Sequence, residues 1–215
     1  KFQVYRLQRS VPEMAVANAR MHLKPLVRIA QSADRFQILC LSRDSVRLFE
    51  GNRDALDEVK LHDGVPRTLA DALGSDLTEK GQSGFPQGYG RSSERGDPMQ
   101  VEAGGSGKQA EIDRDRDRYF REVDRAITEH HSRPSGLPLI LAALPEQQSH
   151  FRRLSHNDCL LPEGIETGQN ALSVNELREK SWMVMQPRYL KRLEGLLNQF
   201  GASHGQGLAS DHLED

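Results

Sequence analysis

The chain has 215 residues, of which 36% are apolar and 28% charged, and its formal charge is −2. That is room for one large domain or two small ones with a proper core. The near-zero charge excludes a bulk polycation, so any nucleic-acid contact must come from a local patch. No apolar run approaches the length of a membrane span and no signal-peptide pattern opens the chain, so a cytoplasmic protein is expected. With Lys1 at its start and the polar run His212 to Asp215 at its end, it reads as a piece of a longer one.

In chain order, Phe2 to Leu7 alternates with a period of two and suggests an edge strand. Met14 to Ala17 is a short apolar run, and His22 to Ala30 a helix interrupted by Pro25, which suits a first turn. Phe36 to Leu41 and Val46 to Phe49, joined by the polar turn Ser42 to Ser45, read as a hairpin. A third strand is expected at Val59 to Leu61, and a short helix from Pro66 to Leu73, stopped by Gly74.

From Ser75 to Ala103 there is almost nothing to bury, which predicts a long excursion rather than a domain. It ends in the glycine loop Gly104, Gly105, Ser106, Gly107, Lys108 and Gln109, which opens the most strongly patterned helix of the chain, Glu111 to His131. At about 100° per residue, Ile112, Tyr119, Phe120, Val123, Ala126 and Ile127 share one face. Arg114, Arg118, Arg121 and Arg125 share the opposite face, within about 40° of a common line. One side is therefore for burial and the other is an arginine stripe suited to phosphate.

Beyond the breaker Ser132 to Gly136, Leu139 to Leu144 is a fully buried strand, and Pro145 begins a helix running to about Leu154. Cys159 to Leu161 is another short strand. Ser173 and Glu176 form a capping box ahead of a helix with Leu177 and Trp182. Tyr189, Leu190, Leu193, Leu196, Leu197 and Phe200 line a last amphipathic helix, ended by Gly201. The sum is an α/β domain with a mixed sheet flanked by helices.

Chemistry-bearing patterns are few. Asp113 to Asp117 lacks the glycine and glutamate that a calcium loop needs at its sixth and twelfth positions, where Arg118 and Asp124 stand. His130 and His131 fall at a helix C-terminus, where a cation is mildly favoured, and are given a structural role. His150, His156 and His204 have no ligand spacing, so no metal is expected. Cys40 and Cys159 read as small buried hydrophobes rather than a disulfide or zinc framework. No nucleophile elbow, P-loop or dinucleotide fingerprint is present. The glycine loop has a bland reading as a linker. Its sharper reading lets backbone approach a phosphate or ester closely at a helix N-terminus, with Gln109 orienting a water.

The hairpin Phe36 to Phe49 with Glu50-Gly51-Asn52, the glycine loop running into a basic helix, and Leu139 to Ala143 followed by Pro145-Glu146 together resemble a known domain. They are similar to the middle domain of archaeal and eukaryotic class 1 peptide-chain release factors. The closer likeness is to their bacterial relatives, the bacterial archaeo-eukaryotic release factor family. The resemblance implies the end of an amino-terminal region over 1–26, the middle-domain-like unit over 27–185, and over 186–215 a C-terminal helix and linker towards a further domain. It implies an RNase-H-like fold without nuclease acids, with the ribosome and tRNA as partners, and no membrane or small-molecule cofactor. In release factors a Gly-Gly-Gln loop enters the peptidyl-transferase centre and its glutamine helps water attack the peptidyl-tRNA ester. Gly104 and Gly105 match the two glycines, Ser106 stands where the glutamine belongs, and Gln109 follows three residues later as the candidate catalytic residue.

The expected function is therefore a ribosome-associated, release-factor-like domain in termination, ribosome rescue or dormancy, with or without peptidyl-tRNA hydrolysis. Arg114, Arg118, Arg121 and Arg125 would be its RNA contacts. The alternative is a non-catalytic interaction or stress-response adaptor that retains the fold. The two part on electrostatics: acidic screening of the stripe by Asp113, Asp117 and Asp124 would favour the adaptor. Oligomeric state is not fixed by the sequence.

Overall fold

The computed structural model describes residues 4, 13–15, 23, 27, 34–43, 45–74, 105–168 and 171–210, with the backbone alone for 105–109. The strand expected over 2–7, the apolar run 14–17 and the helix 22–30 lie largely outside these residues. Among them, the Val27 N–H donates to the Leu23 carbonyl at 2.9 Å, one helical turn.

Five strands form one sheet in the order β3-β2-β1-β4-β5. They are β1 (Phe36–Leu41), β2 (Val46–Gly51), β3 (Leu56–Val59), β4 (Leu139–Ala143) and β5 (Leu160–Glu166). The three amino-terminal strands are an antiparallel meander, and β1, β4 and β5 run parallel. The expected mixed sheet is thus the observed one.

Helices cover both faces, which explains why β1 and β4 are nearly continuous in apolar residues instead of alternating. On one face Leu39, Leu41, Leu48, Leu139, Leu141 and Ala143 pack with Tyr119, Phe120, Val123, Ala126 and Ile127 of α2 (Gly105–Ile127) and with Phe151 of α3 (Pro145–Leu154). On the other, Phe36, Ile38, Phe49, Ile140, Ala142 and Ile165 pack with Leu177 and Met185 of α4 (Val174–Gly205). The face predicted for burial on α2 is the buried one, with Ile112 at its half-buried end.

Several boundaries differ from the expected ones. β3 lies at Leu56–Val59, upstream of the reading at Val59 to Leu61, and Leu61 joins the core beyond it. The short helix α1 is Leu69–Leu73, because Thr68 and Asp71 form a capping box that starts it three residues after Pro66. The helix after the glycines does not stop at His131. It widens into a π-helical stretch, Thr128–Ser132, then closes with Arg133–Ser135 and Gly136 at φ 62°. β5 runs through Pro162 and Gly164 to Glu166, well past Leu161. As an edge strand it tolerates a proline, and its pairing with β4 is irregular between Leu139 and Leu141. Finally, the two helices expected after Ser173 are one helix of 32 residues, with Pro187 inside it and Gly201 failing to end it.

Candidate functional site

The backbone of Gly105, Gly107, Lys108 and Gln109 forms the opening turns of α2, while Gly104 lies outside the described residues. Gly105 to Gln109, expected as part of a loop, are therefore helical in their backbone.

Arg114, Arg118, Arg121 and Arg125 all stand exposed on the outer side of α2, as expected from their spacing. Burial of the opposite face drives this arrangement. Tyr119 is fully buried, and its hydroxyl donates to the Ser42 carbonyl at 3.2 Å and the Arg67 carbonyl at 3.5 Å. The helix is thereby tied to the β1–β2 turn and to the approach to α1, and its rotation about its own axis is fixed.

Asp113, Asp117 and Asp124 of α2 each have a partner outside that stripe. Asp124 is only 6% exposed and faces inward, where it accepts from the Ser155 hydroxyl and from the His156 N–H at 2.8 Å. Asp117 is hydrogen bonded to Nε2 of His150 on α3. Asp113 pairs with Arg116 one turn on, at 3.0 Å. Glu122 meets the stripe at Arg125, 2.6 Å away, and Glu129 acts on the same guanidinium. That hydrogen bond raises the Arg125 pKa further, though so exposed a pair adds little to stability.

His150, which the sequence left without a role, is the hinge between α2 and α3. Its Nδ1 accepts from Arg153 at 2.8 Å and its Nε2 donates to Asp117, so both ring nitrogens are engaged and neither is available as a general base. The ring also meets Phe120 edge-on at 5.9 Å. A second polar network closes the far end of the helix. Asn157 donates to the Ser132 hydroxyl at 2.8 Å, inside the protein, and accepts from the Cys159 N–H at 3.0 Å.

The π-helical stretch brings His130 and His131 to the loop after β3. His62 and His130 stack at 3.8 Å with their rings 20° apart, and the His62 N–H donates to Nε2 of His131 at 3.3 Å. Burial lowers the His131 pKa, and the neighbouring His130 and His62 lower it further. These histidines therefore have the structural role expected, with His62 as the partner that spacing could not reveal. Among the described residues no group of histidines, cysteines and acids is arranged to hold a metal ion. No helix among them is long and apolar enough to cross a membrane.

A release-factor family model, that of bacterial archaeo-eukaryotic release factor family 3, matches residues 35–215, which take in the whole sheet and every helix named above. The chain belongs to that family. Membership gives this family 3 domain a release-factor-like role in translation. No curated protein matches it in sequence. A solved structure described as "Archaeal protein" is similar at 15% identity with a TM-score of 0.39, over 87% of this chain and 45% of the other. The family 3 chain thus spans less than half the length of that structure.

Proposed function

We propose that this family 3 domain binds the ribosome and occupies the tRNA acceptor end without hydrolysing the peptidyl-tRNA ester, as a rescue or dormancy factor would. The observation that carries this reading is the arginine stripe: four guanidinium groups at helical spacing stand outward, while Asp113, Asp117 and Asp124 are engaged by Arg116, His150 and the Ser155–His156 turn. Such a row suits the repeating phosphates of an RNA backbone. Gly104, Gly105, Gly107 and Lys108 would approach the acceptor end, where a helix N-terminus favours the negative charge of phosphate.

The non-hydrolytic part rests on Ser106, which stands where the catalytic glutamine of true release factors belongs. A serine hydroxyl is shorter than a glutamine side chain and offers one donor on the same atom that accepts, whereas a carboxamide offers two donors on nitrogen and a separate acceptor on oxygen. The RNase-H-like description of the sheet is part of the same reading. So are a cytoplasmic location and a domain over 27–185 flanked by 1–26 and 186–215. The adaptor alternative keeps one observation of its own, the apolar stripe on the distal half of α4.

The test is co-sedimentation with ribosomes over a salt series, beside peptidyl-tRNA hydrolysis by the parent and by Gln109→Ala. Binding that weakens steeply with salt, loss of binding when Arg114, Arg118 and Arg121 become Glu, and no release by either protein are expected. Release by the parent that Gln109→Ala abolishes would show a displaced catalytic glutamine. Failure to bind at low salt would leave the adaptor.

A further inference from the structure

The loop that follows β3 is held to the end of α2 by the lone pairs of two imidazoles. The His62 N–H donates to Nε2 of His131 at 3.3 Å, and the Gly64 N–H donates to Nδ1 of His62 at 3.1 Å. A backbone bond from the Val65 N–H to the His62 carbonyl at 3.0 Å closes the turn. An imidazole nitrogen accepts only while it carries no hydrogen. Both contacts therefore require a neutral ring, His131 with its hydrogen on Nδ1 and His62 with its hydrogen on Nε2.

His130 makes the arrangement less tolerant of charge. It stacks on His62 with ring centroids 3.8 Å apart, and a Cβ on Gly64 would stand 3.3 Å from both His130 Nε2 and His62 Nδ1. A proton on His62 or His131 turns an acceptor into a donor aimed at a backbone N–H, and sets a charged ring beside the other two. A π-helical turn is uncommon and often marks a functional position. This one carries both His130 and His131.

The surrounding charges do little to offset this. Burial, His130 and His62 all oppose a proton on His131, and Glu50 of β2 favours one. Glu50 is itself bonded to Arg35 and Gln37. Asp63, Arg67, Asp71 of α1 and Glu122 of α2 line the groove beside the loop. Of these, Asp71 is engaged in the α1 cap and Glu122 with Arg125. Glu129, next to His130 in the chain, acts on Arg125 as well. Leu61 and Val65 are buried in the core on either side of the turn, and the Arg67 carbonyl accepts from Tyr119. His62, Asp63 and Gly64 between these anchors are exposed, so an N–H released there meets water instead of being stranded.

We propose that His62 and His131 form a proton-operated latch between this loop and the π-helical end of α2. Residues 62–64 are held while both rings are neutral and freed when a ring takes up a proton, the sheet staying folded. Because the folded His131 holds a proton less readily than usual, the latch is closed above about pH 6.5 and opens as pH falls through the depressed pKa. Acidification thus adds charge and mobility at the carboxyl end of the arginine-bearing helix, the opposite end from its glycines.

Nuclear magnetic resonance of the ¹⁵N-labelled 215-residue chain between about pH 7.5 and 5 tests this. At the upper pH, ring spectra should show hydrogens on Nδ1 of His131 and on Nε2 of His62. On acidification, the amides of 62–64 should fall from order parameters of about 0.85 to below about 0.6, in step with ring protonation, while those of β1 and β2 stay rigid. His62→Asn with His131→Gln should abolish the response. Neither new side chain titrates, asparagine bonds the N–H two residues on in an Asx turn, and glutamine offers a carboxamide oxygen to the N–H of residue 62. Ring hydrogens on the opposite nitrogens at about pH 7.5, or residues 62–64 equally ordered throughout, would overturn the proposal. So would order lost together with that of β1 and β2, or a double variant that responds as the parent does.

Discussion

Gly164 is a position at which a single methyl group should do great harm. It lies in β5 opposite Leu141, where the parallel pairing with β4 is irregular. A Cβ there would stand 2.8 Å from the Leu141 carbonyl and 2.7 Å from Nη2 of Arg152, and would overlap Oε1 of Gln148. The Gln148 side chain is buried, and its amide donates to the Ala143 carbonyl at 3.0 Å and the Ile165 carbonyl at 2.8 Å, a clamp across β4 and β5. Alanine must expel that side chain and also press on a backbone carbonyl that no rotamer can move aside. Two hydrogen bonds at about 1 to 1.5 kcal/mol each, plus strand displacement, give a loss of about 3 to 4 kcal/mol for Gly164→Ala. Urea unfolding followed by fluorescence of Trp182 should show a midpoint lower by about 1.5 to 2 M at a slope near 2 kcal/mol/M. Gln148→Ala with Gly164→Ala should cost less than the sum of the two, since the first removes what the second strikes. A loss under about 0.5 kcal/mol for Gly164→Ala alone would refute the reasoning.

Three further outcomes follow from the same structure. Asp124→Ala strips the Ser155 hydroxyl and the His156 N–H of a buried carboxylate, and should lower stability by about 3 kcal/mol in the same assay. His131, whose folded pKa lies below its ordinary value, favours the folded state in its neutral form. Its contribution is present above about pH 6.5 and is lost as pH falls through the depressed pKa. The urea midpoint should therefore drop from about pH 7.5 to 5, and His131→Gln should flatten part of that drop. Burial pushes the Cys40 thiol up to about 12, so about one thiol in 10⁴ is ionised near pH 8. Mass spectrometry after brief iodoacetamide treatment should find Cys40 unmodified in folded protein and alkylated once urea is added.

Sequence reading succeeded where one residue's neighbours along the chain decide its structure. The hairpin Phe36 to Phe49, the wholly apolar β4 with Pro145 after it, the Ser173–Glu176 capping box and the two-faced α2 were all legible. Each depends on periodicity, a turn or a cap within a few residues. It failed where a distant element supplies the deciding partner. The strand expected at Cys159 to Leu161 instead runs through Pro162 and Gly164 to Glu166, because β4 pairs with it and Gln148 fills the space that a glycine leaves. Gly201 read as a stop, but nothing in α4 crowds that position and the helix continues to Gly205.

The candidate site divides along the same line. Spacing alone put Arg114, Arg118, Arg121 and Arg125 on one face, because an α-helix turns every 3.6 residues whatever surrounds it. Whether that face was screened by acids was beyond the sequence, since Asp117 and Asp124 could have pointed either way. Only the docking of α3 against α2, which brings His150 and the Ser155–His156 turn within hydrogen-bonding reach, turns them inward. His62 likewise joins His130 and His131 from 68 and 69 residues away, a distance that no local pattern spans. The sequence by itself determined which residues lie together on an element; the tertiary structure decided what each face meets, because that depends on contacts between segments that the chain order keeps apart.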